Sequence, residues 1–388
     1  MPRIANRTKR SPVVRPSRRI PELARAILFV RAGGRCQFDG CNKYLLEHHV
    51  TLTEGNFAQF AHIVAFSEEG PRGTGNRPSN INDVSNLMLL CPQCHKLIDD
   101  NPQKFTRQTL EGYKKRHEER ILHVTGLGPE QKTSILVIKC RIGNQTVTVP
   151  YDQILQAITP RYPYSKDGLT IDLTLLPPDS GSFVGAACDA IRDQLQGLFS
   201  ASGEVKHSHH ISLFGLAPIP VLIFLGSQLS NKVPLDLYQR HRDTEDWSWK
   251  SSGKPVRYSF RRVRRGSVNS RVALLLSLSG AINVRTLPYE VGGSVSVYEL
   301  TLAGATPNPT FLKRKRDLEE FRTQYQLAIA TILRNHPGVR QIDLFPAVPA
   351  PIAVLCGREL LPKAYPPFRV YDNKKHKGGF VYQLTINN

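Results

Sequence analysis

Two cysteine pairs constrain this chain more than any other feature. Cys36 and Cys41 bracket "CQFDGC", and Cys91 and Cys94 bracket "CPQC". Gly, Asp or Pro stands with each pair, the chemistry of a tight knuckle. Two knuckles make one tetrahedral zinc site with four thiolate ligands, and no position is left for a substrate, so the site is structural. The chain must leave Cys41 and return to it after 49 residues. The other cysteines, Cys140, Cys188 and Cys356, stand alone in apolar runs and read as core. An odd total of seven, four of them at metal spacing, points to a reducing cytoplasm and not to a disulfide framework.

The segment between the knuckles carries the chemistry. "FAQFAHIVAFSEEGPRGTG" alternates like a strand, holds His62 and ends in a glycine-rich turn. "INDVSNLMLLC" then leads through Asn86 to the second knuckle, and "PQCHKLIDD" starts a short helix carrying His95. Cys94 and His95 are neighbours, so on a helix they point about 100° apart, one to zinc and one to a second site. His62, Asn86 and His95 can thus converge on one face. Ahead of the knuckles, "IPELARAILFVRAGG" predicts a helix with Ala24, Ile27, Leu28 and Phe29 as its apolar face and Gly33-Gly34 as its stop.

"TGLGPEQKT" (125–133) has the glycines and proline of a linker. Beyond it, apolar runs such as "SILVIKC", "ISLFGL", "VALLLSLSG" and "QIDLF" alternate with helical stretches, which predicts α/β layers with largely parallel, buried strands. This region repeats. Residues 211–232 aligned without a gap on 342–363 share eight of 22 positions, each pair 131 residues apart. Two prolines and one glycine are among them, so a duplicated unit is expected, with a ligand cleft beyond the carboxyl ends of its strands.

Charge narrows the partner. The formal net charge is +20. Residues 1–20 read as a basic flexible arm with seven Arg or Lys and no acid, and 254–271 holds seven more and no acid. Such stretches suit a polyanion, because neutralising phosphates releases counterions. The longest apolar run, "IPVLIFLG", is too short to span a membrane, and no secretory h-region is present, so no membrane partner is expected.

The order "AHI", "GPR", "NLMLLCPQCH" resembles the HNH endonucleases, whose ββα-metal motif is often braced by zinc on four cysteines. The resemblance implies that His62 is the general base, that Asn86 fixes the loop orienting it, and that His95 holds one divalent cation, Mg²⁺ or similar. Many members carry Asp, Glu or His just before the base; here Ala61 stands there, and Gln59, Asp39 or Asp99 is left to supply the oxygen. Arg72 is the expected DNA contact. The duplicated half, through "LSLSG", "LFGLAP…LG" and "LFPAVP…CG", resembles a SAVED domain, two fused CARF-like, Rossmann-like α/β units that sense cyclic oligonucleotides.

Together these features are similar to HNH–SAVED effectors of CBASS anti-phage systems. The implied organisation is a basic arm (1–20), a zinc-braced HNH domain (21–124), a linker (125–133) and a SAVED domain (134–388) with halves at about 134–268 and 269–388. The implied activity is double-stranded DNA cleavage in the bacterial cytoplasm, switched on by a cyclic di- or trinucleotide through homo-oligomer assembly, dimer or tetramer. Candidate ligand contacts are Ser277, Ser279 and Gly280 in a turn after a strand, Pro218 and Pro349 at matched turns, and Tyr238, Trp247, Trp249, Arg358, Tyr371 and Lys375 as stackers or cations. Two other readings compete. One is a restriction-type HNH endonuclease whose C-terminal domain reads DNA or a modified base. The other is a zinc module without catalysis, which needs neither His62 nor Mg²⁺.

Overall fold

The computed structural model describes residues 18–387 apart from 143, 144, 147, 178, 179, 230, 232 and 375–377. Most of the expected basic arm therefore lies outside the described residues. The chain divides into two compact units, Met1–Leu127 and Gly128–Asn388.

In the first unit, helix α1 (Glu22–Ala32) buries Leu28 and Ala32. It stops where the sequence says: Gly33 and Gly34 have φ of 60° and 66°, the left-handed region that costs glycine little. Strands β1 (Gln59–His62) and β2 (Leu87–Leu90) pair antiparallel, Gln59 opposite Leu90 and His62 opposite Leu87. The first knuckle covers the other edge of β2: Gln37 N–H donates to Leu89 O at 2.9 Å, and Leu89 N–H donates to Gln37 Oε1 at 2.7 Å. Helix α2 (Pro92–Asp100) starts with Cys91 as its N-cap and proline in its first turn. Helix α3 (Arg107–Thr125), capped by Thr106, closes the unit. All four side chains of β2 are buried among Leu28, Leu45, Ala61, Ile98 and Leu110.

The segment expected as a linker is the last residue of α3, a short 3-10 turn (Pro129–Gln131) and the first two residues of a strand. The second unit then runs β3 (Lys132–Lys139), β4 (Arg141–Ile142), β5 (Gln145–Thr146), α4 (Tyr151–Ile158), β6 (Tyr162–Pro163), β7 (Leu169–Asp172), α5 (Phe183–Phe199), α6 (Val205–Ser208), β8 (Ile211–Leu216), α7 (Ile219–Leu229) and β9 (Leu235–Tyr238). It continues with β10 (Tyr258–Arg264), β11 (Val268–Ser277), β12 (Val295–Leu302), α8 (Lys315–Asn335), β13 (Gln341–Ala347), α9 (Ala350–Arg358), β14 (Phe368–Lys374) and β15 (Gly379–Ile386). One sheet is ordered β6-β3-β8-β9, with β7 also on β3, and all its pairings are parallel. The other is ordered β10-β12-β11-β13-β14-β15, parallel in its middle and antiparallel at both edges. Because β10 pairs with β12, the second half begins earlier than the expected 268/269 boundary.

The repeat has a physical reason. Its two copies are β8–α7 and β13–α9, and the helices cross on their matched glycines. A Cβ on Gly226 would lie 2.0 Å from Val354 O, and one on Gly357 would lie 1.8 Å from Ile223 O. Neither position tolerates any side chain, so both copies keep glycine. Matched Phe214 and Phe345 stack on Tyr238 and Tyr371, each pair with centroids 4.5 Å apart. Among the described residues, no helix is long and apolar enough to cross a membrane.

Candidate functional site

The two knuckles meet as the spacing requires. The Sγ atoms of Cys36, Cys41, Cys91 and Cys94 all lie within 4.8 Å of one another. Sulfurs bound tetrahedrally to one zinc at about 2.3 Å sit roughly 3.8 Å apart, inside that limit, so the four cysteines can close on the ion. The knuckles are also tied by backbone: Cys91 N–H donates to Cys36 Sγ, and Cys94 N–H to Cys91 Sγ, each at 3.4 Å. Burial pushes the Cys36 thiol up to about 12, so a bound cation is what would favour four thiolates in this place.

His62, half-buried, ends β1 with Nε2 2.9 Å from Asn82 Oδ1. Asn86 is buried in the turn before β2. Its Oδ1 accepts from Val64 N–H at 2.9 Å, and its Nδ2 donates to Val64 O at 3.0 Å and to Ile81 O at 2.9 Å. Asn86 thus clamps the residues just after His62 to those just before itself. His95 lies on α2 and faces β1: its Nδ1 is 2.7 Å from Gln59 Oε1, and its Nε2 is 3.3 Å from Asp99 Oδ2. Burial pushes the Asp99 carboxyl up, but hydrogen bonds and charge from His95 and Arg72 outweigh it and hold the group below its ordinary value.

Two expectations in this unit need correction. Asp39 pairs with Arg116 at 2.8 Å, and the oxygens in contact with His95 are those of Gln59 and Asp99. Arg72 is not offered to DNA. Its side chain is 6% exposed and donates from Nε to Ile63 O at 2.7 Å, from Nη1 to Ile98 O at 2.8 Å and from Nη2 to Asp99 Oδ1 at 3.1 Å. It is an internal strut joining β1 to α2. Asn82 was missed, because an asparagine in "NINDVSN" reads as a turn former.

In the second unit, the carboxyl ends of β8, β9, β11 and β13 open on a cavity of about 580 Å³ lined by Ala217, Gln239, Arg240, Arg242, Ser279 and Pro349 among others. Helices α7 and α9 begin at its wall, so two positive dipole ends face it. Ser279 and Pro349 are therefore at the cleft that the duplication predicts. Pro218 lies between Leu216–Ala217 and Ile219, which line it. Gly280 follows Ser279 and has open space on its Cα. Arg240 and Arg242 were missed; they follow β9 in a polar stretch, "YQRHRDTED", with no motif to mark it.

The other ligand candidates serve the scaffold. Ser277 is buried and donates to Glu299 Oε1 at 2.8 Å. Tyr238, Tyr371 and Trp247 are buried in the core, and Tyr371 Oη donates to Glu290 Oε1 at 2.9 Å. Arg358 is buried and donates to Val233 O. Trp249 donates Nε1–H to Leu237 O at 3.0 Å and lines a separate cavity with Arg161 and Lys315. Lys375 lies outside the described residues.

Comparison with known proteins gives two family matches. The family described as "SMODS-associated and fused to various effectors sensor domain", SAVED, matches residues 191–386, just over half of the chain. The family described as "HNH endonuclease" matches residues 36–101, which supports nuclease activity. Among solved structures, the Acinetobacter baumannii Cap4 SAVED/CARF-domain containing receptor with the cyclic trinucleotide 3'3'3'-cAAA is similar at 13% identity and a TM-score of 0.44, over 75% of this chain and 62% of that one. The same receptor with 2'3'3'-cAAA gives 13% and 0.45 over the same shares. The Moraxella osloensis Cap4 SAVED/CARF-domain containing receptor gives 13% and 0.35 over 76% of this chain and 60% of that one. The chain thus spans about 62% of the length of the first of these structures. No curated protein matches it.

Proposed function

The chain belongs to the SAVED family of sensor domains, and from that premise we propose that it is a metal-dependent DNA endonuclease, idle until a cyclic di- or trinucleotide binds the sensor, and an effector of CBASS-type anti-phage defence. One observation carries the reading. A single chain joins His62, Asn86 and His95, framed by four cysteines, to two matched strand–helix units that open on one cavity.

In this reading His62 takes a proton from the water that attacks a DNA phosphate. With Asn82 Oδ1 accepting, Nε2 carries the ring proton and Nδ1 keeps its lone pair as the base. Asn86 holds the chain at Val64 and so fixes the direction of that ring. His95, with oxygens of Gln59 and Asp99 beside it, is a donor set that suits a divalent cation. Such a cation would stabilise charge on the phosphate and on the leaving oxygen. Substrate and water oxygens would complete its shell, since among the described residues only the cysteines bring together three or more ligand atoms of His, Cys, Asp or Glu. The zinc is structural.

The sensor cavity complements a compact polyanion through Arg240, Arg242 and the two helix starts. Activation by homo-oligomer assembly in the cytoplasm belongs to the same proposal: it places two HNH units near each other, as cutting both strands requires. The test is incubation of purified protein with plasmid and Mg²⁺ against a panel of cyclic di- and trinucleotides. Cleavage with one or few of them is expected. Cleavage indifferent to all of them removes the sensor role, and no cleavage with any removes the nuclease role.

A further inference from the structure

The cavity occupies the carboxyl ends of the parallel strands. The opposite end of the second sheet gathers arginines that neither site uses. On edge strand β10, Arg262 lies opposite Tyr298 of β12. Tyr298 Oη sits 3.2 Å from His336 Nε2 and accepts from Asn335 Nδ2 at 3.3 Å, so this edge meets the carboxyl end of α8. That end carries Arg334 in its last turn. The turn beyond carries Arg340, whose N–H donates to Ser270 O at the start of β11 at 2.8 Å. Between β10 and β11 the chain crosses the same end, Val268 N–H donating to Ser294 O at 2.9 Å, and brings Arg265.

Arg262, Arg265, Arg334 and Arg340 are all exposed. Among the described residues, none of these four guanidiniums has a hydrogen bond or ion pair. Neighbouring arginines are consumed by the fold. Arg264 donates to the carbonyls of Val291, Gly292 and Val295, Arg271 pairs with buried Asp343, and Arg369 lies 4.6 Å from the Tyr382 ring centre and 3.8 Å from Glu290. The acids of this end, Asp343 and Glu290, are therefore already answered, and the four exposed charges are surplus. Of the aromatic side chains here, Phe260 and Tyr298 stack on each other, with Tyr298 buried, while Tyr289 beside Glu290 is fully exposed. Free guanidiniums without acidic partners fit a phosphate backbone, and a duplex is the form of it that the nuclease reading supplies.

We propose that this end of the sensor sheet docks the sugar-phosphate backbone of duplex DNA. The proposal rests on the nuclease reading for the identity of its partner. Two plainer roles compete: charged side chains guard an edge strand against pairing, and arginine favours a helix carboxyl end.

Fluorescence anisotropy of the full-length protein with a labelled random-sequence duplex, without added divalent metal and over a salt series, separates them. The variant combines Arg262→Gln, Arg265→Gln, Arg334→Gln and Arg340→Gln. Its affinity is expected to fall by about tenfold or more, and its salt slope to become shallower by about 0.9 for each phosphate that is no longer neutralised. Its unfolding midpoint, followed in parallel, should stay in place. Unchanged affinity and slope overturn the proposal, as does wild-type protein that does not bind the duplex. Self-association of the variant with duplex binding intact assigns the arginines to edge protection and also overturns it. Cleavage is assayed separately, so a chain that cuts DNA but binds it equally well after substitution sinks this surface and leaves the nuclease reading standing.

Discussion

The two units hold themselves together by different means. The first rests on a hairpin of two four-residue strands, a size that is marginal alone. Its closure is set by two cysteine pairs whose first members, Cys36 and Cys91, stand 55 residues apart in the chain. The second has two large sheets beside the small β4–β5 pair, its largest core cluster runs from Leu136 to Ile386, and its three cysteines lie apart as buried apolar side chains. The difference teaches where each kind of site is built. In the proposed reading, function in the first unit sits on side chains held by a frame that four cysteines can brace with a metal. In the second it would sit on the strand and helix ends of the scaffold, with Arg240 and Arg242 beside them. Loss of metal should therefore damage one unit and leave the other standing, while steric damage to the helix crossing should do the reverse.

The largest effect tests this division outright. Cys91→Ser should cost the first unit its fold, since structural zinc binding is itself folding energy, on the order of 10 kcal/mol. Metal analysis should show loss of the zinc. Both tryptophans, Trp247 and Trp249, lie in the second unit, so tryptophan fluorescence reports that unit alone. Its unfolding midpoint should not move. A variant that keeps one zinc per chain, or one that shifts the tryptophan transition, breaks the comparison.

Next in size is the base. His62→Ala should lower DNA cleavage by about 10²–10⁴-fold, with zinc content and both unfolding transitions unchanged. Near-normal cleavage removes His62 from its role. Gly357→Ala comes third and acts only on the second unit. Its Cβ would fall 1.8 Å from Ile223 O, and a backbone oxygen cannot step aside as a side-chain tip can. The expected loss is about 3 kcal/mol or more in the tryptophan transition, with a similar loss for Gly226→Ala across the repeat. A wild-type midpoint for either would mean that the crossing is looser than described.

The same contrast explains what the sequence made legible. Cysteines at knuckle spacing with His62, Asn86 and His95 in order can be read because those residue types have few other reasons to stand together. The repeat was readable through Pro218, Pro220 and Gly226 against Pro349, Pro351 and Gly357, whose backbone demands are specific. Tyr238 and Tyr371 were not, because an aromatic in a strand looks the same whether it awaits a ligand or packs on Phe214 or Phe345. Arg72 misled for a related cause. A cation in a glycine-rich turn reads as solvated, and nothing local shows that four backbone and side-chain acceptors surround it.

The smallest effect concerns pH and again singles out the second unit. His210 is 5% exposed, with Nδ1 2.8 Å from Thr133 Oγ1 and Nε2 3.5 Å from Asp236. Burial first, and then the charge of Arg161, push its pKa down to about 4, although Asp236 pulls the other way. In the unfolded chain an imidazole titrates near 6.5. Between these values the unfolded state binds the extra proton, so stability falls as pH falls. The contribution is present above about pH 6.5 and gone by about pH 4, with a total of about 3 kcal/mol. Carboxylates add their own slope at the acid end, where Asp172 is held down at about 2 with help from Lys139 and Thr174 against its burial. The window free of carboxylate titration is therefore pH 6.5 to about 5, where His241 and His336, also held below the ordinary imidazole value by burial, add a slope common to both proteins. Urea midpoints followed by tryptophan fluorescence in that window should drop for the wild type and stay flatter for His210→Gln. That substitution also alters the Thr133 contact, which lowers the midpoint at every pH but does not change the slope. Equal slopes for the two proteins would show that the proton goes elsewhere, and that the second unit owes none of its acid sensitivity to this buried imidazole.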